Sequence, residues 1–388
     1  MPAYISGVGI FLPNEPVDND EIENVLGQVG GRRSRTKTTV LQSNGITSRH
    51  YALDPVSGEM THTNCRLTVE AVRALCDRTG FSLADLDTLS CGTSLPDQAL
   101  PNHAVMVHGE LGCPPCEPVS TAGVCMSGLT AFKYAYLSVL SGTSRNAIST
   151  ASELASASLR SAYFESGYEP ADSDDERATE RLRANPVVAL EADFLRWMLS
   201  DGSAAVLVTD EPRGASVSLR VDWVEIISMA HLADPCMYAG AVKHKDGSFT
   251  GWRQAGSPRA ALEGEYFYIR QDARQLGRLI TKLLGESIDV LRERRDVTGD
   301  DYDWFLPHYS SAYFRRPFEE TFRERGLGIP SEKWFTNLAS KGNTGSASVF
   351  IMLEELLNGG RLTPGQKLLC WVPESGRFTY GFMQLTVV

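Results

Sequence analysis

A chain of 388 residues is long enough for two or three domains, and 42% hydrophobic with 22% charged residues is an ordinary globular composition. The formal net charge of −11 argues against nucleic acid as the main partner, and an acidic carrier protein needs a local basic patch to dock. No apolar run approaches the ~20 residues that span a bilayer, and eight cysteines scattered without a secretion signal fit reduced thiols in a cytoplasm.

In chain order, Met1 to Ile10 reads as a first β-strand, not a signal peptide. A helix is expected over Thr68–Arg78, with Val69, Val72 and Leu75/Cys76 on one face, followed by a strand at Thr88–Cys91. Cys113-Pro114-Pro115-Cys116 has redox or zinc spacing. With no second ligand pair it reads as a proline-rich turn, and His103 and His108, five apart on a helix, do not face one ligand site. No metal site is therefore expected, and no P-loop or strand–GxGxxG–helix pattern points to a bound cofactor.

A strand at Glu117–Val119 leads through a small-residue loop into a helix over Gly128–Leu140, where Leu129, Phe132 and Tyr136 recur at helical spacing. The second half repeats the plan. A strand at Trp304–Leu306 is followed by the loop Lys341–Ser346 and a helix over Ala347–Leu357. Each loop is later followed by a glycine-led apolar strand, Gly202–Val208 and Gly381–Val387. The first interval, 125 to 202, is about twice the second, 343 to 381. The excess falls on 163–199, whose polar core Asp172–Arg177 suggests a surface insertion. Alternating strands and helices of this kind give a duplicated α/β fold, with halves at 1–210 and 211–388.

Three positions in these loops can do chemistry. Cys125, in Ala122-Gly123-Val124-Cys125-Met126-Ser127-Gly128, lies where a helix begins. Free N–H groups and the positive dipole end there favour a thiolate, lower the thiol pKa and can hold an oxyanion. A buried structural cysteine is the equal alternative on this loop alone. His308 ends an apolar strand, where loops gather over an α/β sheet. Asn343 sits in a Gly/Ser loop, where turn geometry is the commoner reason for asparagine.

Taken together, five motifs in chain order resemble the β-ketoacyl-acyl carrier protein synthase III group of the thiolase superfamily. They are Gly45–Ala52, the Cys125 loop, Asp201–Val206, Pro307-His308 and Gly342–Ser348, with Gly376–Gly381 similar to the group's closing glycine turn. The resemblance implies a five-layered αβαβα fold, usually a homodimer. It also implies an acyltransferase in which Cys125 accepts the acyl group. The N–H groups of Cys125 and Gly376 form the oxyanion hole, and His308 and Asn343 stabilise the enolate of the second thioester.

Departures from the pattern bear on the substrates. The tryptophan that packs on coenzyme A is missing before Gly45. In its place Arg32, Arg33, Arg35 and Lys37 offer a contact for a phosphopantetheine phosphate or an acyl carrier protein, with a solvated basic loop as the alternative. Leu100 takes the place of a phenylalanine that reaches into the partner subunit's acyl pocket. Glu153 and Asp97 are candidate extra bases, each also readable as structural. Cys91–Gln98 and Val107–Gly112 look like a dialkylresorcinol and aryl-lipid subgroup that joins an acyl group to a β-ketoacyl thioester. The expected reaction is Claisen condensation with (β-keto)acyl or malonyl thioesters, in such a pathway or in fatty acid-type synthesis. Transfer of the Cys-bound acyl group to an alcohol or amine is the alternative.

Overall fold

The computed structural model describes residues 1–31, 33–165, 194–213 and 217–388. Most of the segment expected as an insertion, its core Asp172–Arg177 included, and Arg32 lie outside the described residues.

Nine strands form one sheet: β1 (Tyr4–Phe11), β2 (Thr88–Thr93), β3 (Glu117–Ala122), β4 (Asn146–Glu153), β5 (Gly202–Thr209), β6 (Leu219–Ser228), β7 (Trp304–Pro307), β8 (Lys367–Glu374) and β9 (Thr379–Val387). Their spatial order is β7-β8-β9-β6-β1-β5-β4-β2-β3. From one edge inward, the first five strands lie third, second, fourth, fifth, first. The pairings β2·β3 and β2·β4 are parallel, and β4·β5 and β5·β1 antiparallel. From the other edge the same order recurs. A bridge between Phe305 and Trp334 stands in the place of the third strand, followed by β7, β8, β9 and β6 with the same sequence of parallel and antiparallel pairs. The halves join through the antiparallel pairs of Tyr4 with Arg220 and Ile5 with Leu219.

The longest helices among the described residues are α1 (Asn64–Thr79), α2 (His103–Leu111), α3 (Met126–Leu140), α4 (Ala273–Arg294), α5 (Arg315–Glu324) and α6 (Ser348–Asn358). Helices α3 and α6 are buried around most of their circumference, as an apolar helix between two sheet faces must be. Phe132 and Phe350 pack ring to ring between them. Helix α4 instead buries one apolar face, with Leu276, Ile280, Leu283, Leu284, Ile288 and Leu291.

Period-two alternation sends each strand's side chains into different cores. In β8, Leu368, Cys370 and Val372 face the middle core, while Leu369 and Trp371 face the core under α4 and α5. In β5, Ala204, Val206 and Val208 face the middle, while Ala205 and Leu207 meet Val72 and Leu75 of α1. Three cores between sheet and helices thus define five layers, the expected αβαβα plan. The outer core of the second half is rich in rings. Phe305, Phe318 and Phe322 surround Trp371, and each such burial contributes about 1.5–3 kcal/mol.

Candidate active site

The loops that follow β2, β3, β4 and β7 gather around a cavity. Cys125, Glu153, His308 and Asn343 all line it, and its space is roughly 870 Å³ with the open mouth included. Away from Cys125 the lining is largely apolar: Leu195 and Met198 come from the first half, and Leu276, Ile280, Phe314 and Phe318 from the second.

Cys125 is the residue immediately before α3, which starts at Met126. The helix is pressed against the Asn343 loop. A side chain at Gly128 would place its Cβ 2.5 Å from the Ser346 carbonyl oxygen and 2.6 Å from the Ala151 Cβ, so only glycine lets the two repeated loops meet.

Asn343 is held by a chain of contacts starting at the Gly45–Ala52 motif. The buried Arg49 donates from Nε to the Trp197 carbonyl at 3.1 Å, and Asn44 donates to the same oxygen at 2.8 Å. The next residues clamp the asparagine backbone: Asn343 N–H donates to Met198 at 3.0 Å, and Ser200 N–H donates to Asn343 at 2.8 Å. The Asn343 Oδ1 accepts the Gly345 N–H at 2.9 Å, which leaves the Nδ2 donor for the other side. The Asp201 motif has a structural role too. Its carboxylate accepts N–H groups from Ala52 at 2.7 Å and Ser156 at 2.9 Å, and burial raises it to about 6.

His308 is fixed by its own N–H, donated to the Trp371 carbonyl at 2.8 Å. Burial alone pushes its imidazole down to about 4, so the ring is neutral at pH 7. It can donate or accept a hydrogen bond there but carries no charge.

Cys125 departs from the sequence expectation. The helix start was expected to lower its pKa, yet burial pushes the thiol well up, and the charges of Glu153 and Glu374 push it further. Glu153 Oε1 accepts Ser94 Oγ at 2.7 Å and Ser346 N–H at 3.1 Å, while burial raises the carboxyl to about 7. Of the two candidate bases, this is the one in the cavity.

Glu374 was not anticipated, and it bears on the expected role of Gly376. The Gly376 N–H donates to Glu374 Oε1 at 2.6 Å, and Arg377 N–H donates to the other carboxylate oxygen at 3.3 Å. The expected second oxyanion donor is therefore already engaged. Glu374 ends β8 and reads in sequence as a strand residue. Only the return of the chain at Ser375–Phe378 turns the amides onto it.

The remaining candidates among the described residues lie outside the cavity. Asp97 does not line the cavity. It is exposed, and its carboxylate accepts the N–H groups of Asn64 and Cys65 at 2.8 Å each, capping α1. Leu100 lies on the surface, 82% exposed, and lines no part of this chain's own cavity. Lys37 pairs with Glu23 at 3.4 Å, whereas Arg33 and Arg35 are exposed. The Cys113–Cys116 turn was read without further ligands, but the structure brings His108 beside it. No helix among the described residues is long and apolar enough to cross a membrane.

The duplicated sheet, with a cysteine, a histidine and an asparagine on loops over one cavity, is a thiolase-like fold. The family model described as 3-oxoacyl-[acyl-carrier-protein] synthase III C terminal matches residues 292–383. The β-ketoacyl-[acyl-carrier-protein] synthase III of Clostridium perfringens is 25% identical over 382 residues, covering 98% of this chain and 97% of that protein. Among solved structures, AbyA1, a tetronic acid condensing enzyme, superposes with a TM-score of 0.72 at 21% identity, over 99% of both chains. Xanthomonas campestris OleA, solved with bound lauric acid and lauroyl-CoA, gives 0.70 at 19% identity, over 100% of this chain and 99% of that one. The C-terminal part of the chain thus matches the synthase III family model, and the whole chain is similar in sequence and fold to β-ketoacyl-acyl carrier protein synthase III and related condensing enzymes.

Proposed function

We propose that this enzyme forms a carbon–carbon bond by Claisen condensation on an acyl group carried by Cys125. One observation carries the reading: a cysteine at a helix start, a neutral histidine and an asparagine with a spare donor line the same largely apolar cavity. In the first step the Cys125 sulfur attacks an acyl thioester and the carrier thiol leaves, taking up the proton that Cys125 gives up. The helix N-terminus and the Cys125 N–H face the oxyanion. In the second step His308 and Asn343 donate to the carbonyl of a second thioester as it loses CO₂ or an α-proton. Its carbanion attacks the acyl-cysteine, so that the new C–C bond forms as the C–S bond breaks. Glu153, which lines the same cavity and is half protonated near pH 7, serves in this reading as the base for an α-proton.

The apolar lining suits an acyl chain, and a β-ketoacyl partner thioester fits the aryl-lipid subgroup the sequence resembles. Delivery by acyl carrier protein or coenzyme A, and a homodimer in which exposed Leu100 meets the partner's acyl pocket, belong to the same proposal.

Incubating the protein with an acyl thioester and a β-ketoacyl thioester tests it. A product whose carbon chain is the sum of both, absent with Cys125→Ala, is expected. An ester or amide of an added alcohol or amine, with no lengthened chain, would replace condensation by simple acyl transfer.

A further inference from the structure

Away from the cavity, the geometry points to a zinc site at the far end of β3, made by His108, Cys113 and Cys116. The ligand atoms of the three lie within 4.8 Å of one another, both cysteines are free thiols, and all three residues are half-buried. Bonds of about 2.3 Å to sulfur and 2.0 Å to nitrogen in a tetrahedral site separate the ligands by roughly 3.5–3.8 Å. Closing the remaining ångström is within reach of side-chain rotation at a surface turn.

The fold makes this convergence. Helix α2 ends at Leu111, and Gly112, at φ 64°, donates to the His108 carbonyl at 3.1 Å and reverses the chain. Cys113-Pro114-Pro115-Cys116 then runs back past the last helical turn. His108 Nε2 lies 3.2 Å from the Cys113 carbonyl and 3.1 Å from that of Pro114, which holds the ring over the turn bearing both thiols. Two prolines stiffen that turn and keep the cysteines at a set spacing.

Two thiolates and an imidazole, with no carboxylate in the group, suit zinc and not calcium or magnesium. Three protein ligands leave a fourth position for water. Binding releases two thiol protons to solvent and involves no oxidation. Cys116 precedes β3, whose other end leads to Cys125, so the two sites stand roughly 20 Å apart by strand length. The ion would clip α2 to β3 and leave the chemistry alone.

The test is zinc titration of the reduced, chelator-stripped full chain against a competing chromophoric chelator, with cobalt as the spectroscopic probe. Expected are one zinc per chain, a thiolate-to-cobalt charge-transfer band, and affinity lowered at least about tenfold in Cys116→Ser and in His108→Ala. Cys125→Ser should bind as the unsubstituted protein does. The melting temperature should rise with zinc, and not in Cys116→Ser. Should that variant not fold, Cys113→Ser and His108→Ala carry the same comparison. Absence of zinc binding, equal binding by the variants, or a Cys113–Cys116 disulfide that takes up no metal once reduced would each overturn the site.

Discussion

The N–H of Gly376 donates to the carboxylate of Glu374 at 2.6 Å, so the amide expected to face the oxyanion is held by a buried acid two residues earlier. The same acid raises the Cys125 thiol, second in this to Glu153 among the charges acting on it. Glu374 therefore acts on both the Cys125 thiol and the Gly376 amide. Glu374→Gln removes the charge while keeping an oxygen for Gly376. Alkylation of Cys125 by iodoacetamide should shift to lower pH and run about two- to tenfold faster at pH 8. An unchanged profile would show that the charge is not felt at the sulfur.

His308 and Asn343 are assigned to the second half-reaction only. His308→Ala and Asn343→Ala should leave acylation of Cys125 within a few-fold of normal and cut condensation by about 10²–10³-fold. Quench-flow mass spectrometry separates the two steps. Equal loss of both would remove the division of labour.

Glu153 makes stability pH-dependent with a definite sign. Burial raises its carboxyl from 4.5 to about 7. Between those values the folded chain keeps a proton the unfolded chain has lost, so its stabilising contribution is complete below about 4.5 and is lost as pH rises through 7. His308 runs the other way. With its pKa lowered from 6.5 to about 4, folding is favoured more as pH rises across that interval. Glu153→Gln isolates the first effect. Relative to the unsubstituted protein it should gain about 1–3 kcal/mol between pH 4.5 and 7.5 in urea unfolding. A difference independent of pH would contradict the buried, proton-holding carboxyl.

Asp97 caps α1 and stands outside the cavity, so Asp97→Ala should cost about 0.5–2 kcal/mol of stability and leave kcat/KM unchanged. A tenfold or greater loss of kcat/KM in a folded variant would return it to the list of bases.

Much of the site was legible because its signals are local. Cys125 and Asn343 sit in small-residue loops that open buried helices, and His308 directly follows an apolar strand. Both repeated loop–helix units were visible for the same reason: α3 and α6 are apolar nearly all round. The relationships that escaped depend on how distant or reversing segments meet. Glu374 becomes an amide acceptor only because the β8–β9 turn folds back. His108 joins the cysteine turn only because Gly112 reverses the chain. Asp97 gave no sign of capping a helix that starts 33 residues earlier. Leu100 was compared with a residue that works in a neighbouring subunit, so this chain's own cavity does not contain it.

Acylation of Cys125 is the claim on which the others depend, and intact-protein mass spectrometry with peptide mapping tests it most directly. After incubation with a series of acyl thioesters of increasing length, the account predicts an adduct of acyl mass on the Cys125 peptide, absent in Cys125→Ala and sensitive to neutral hydroxylamine. No adduct at any chain length, or an adduct that persists in Cys125→Ala, would contradict it.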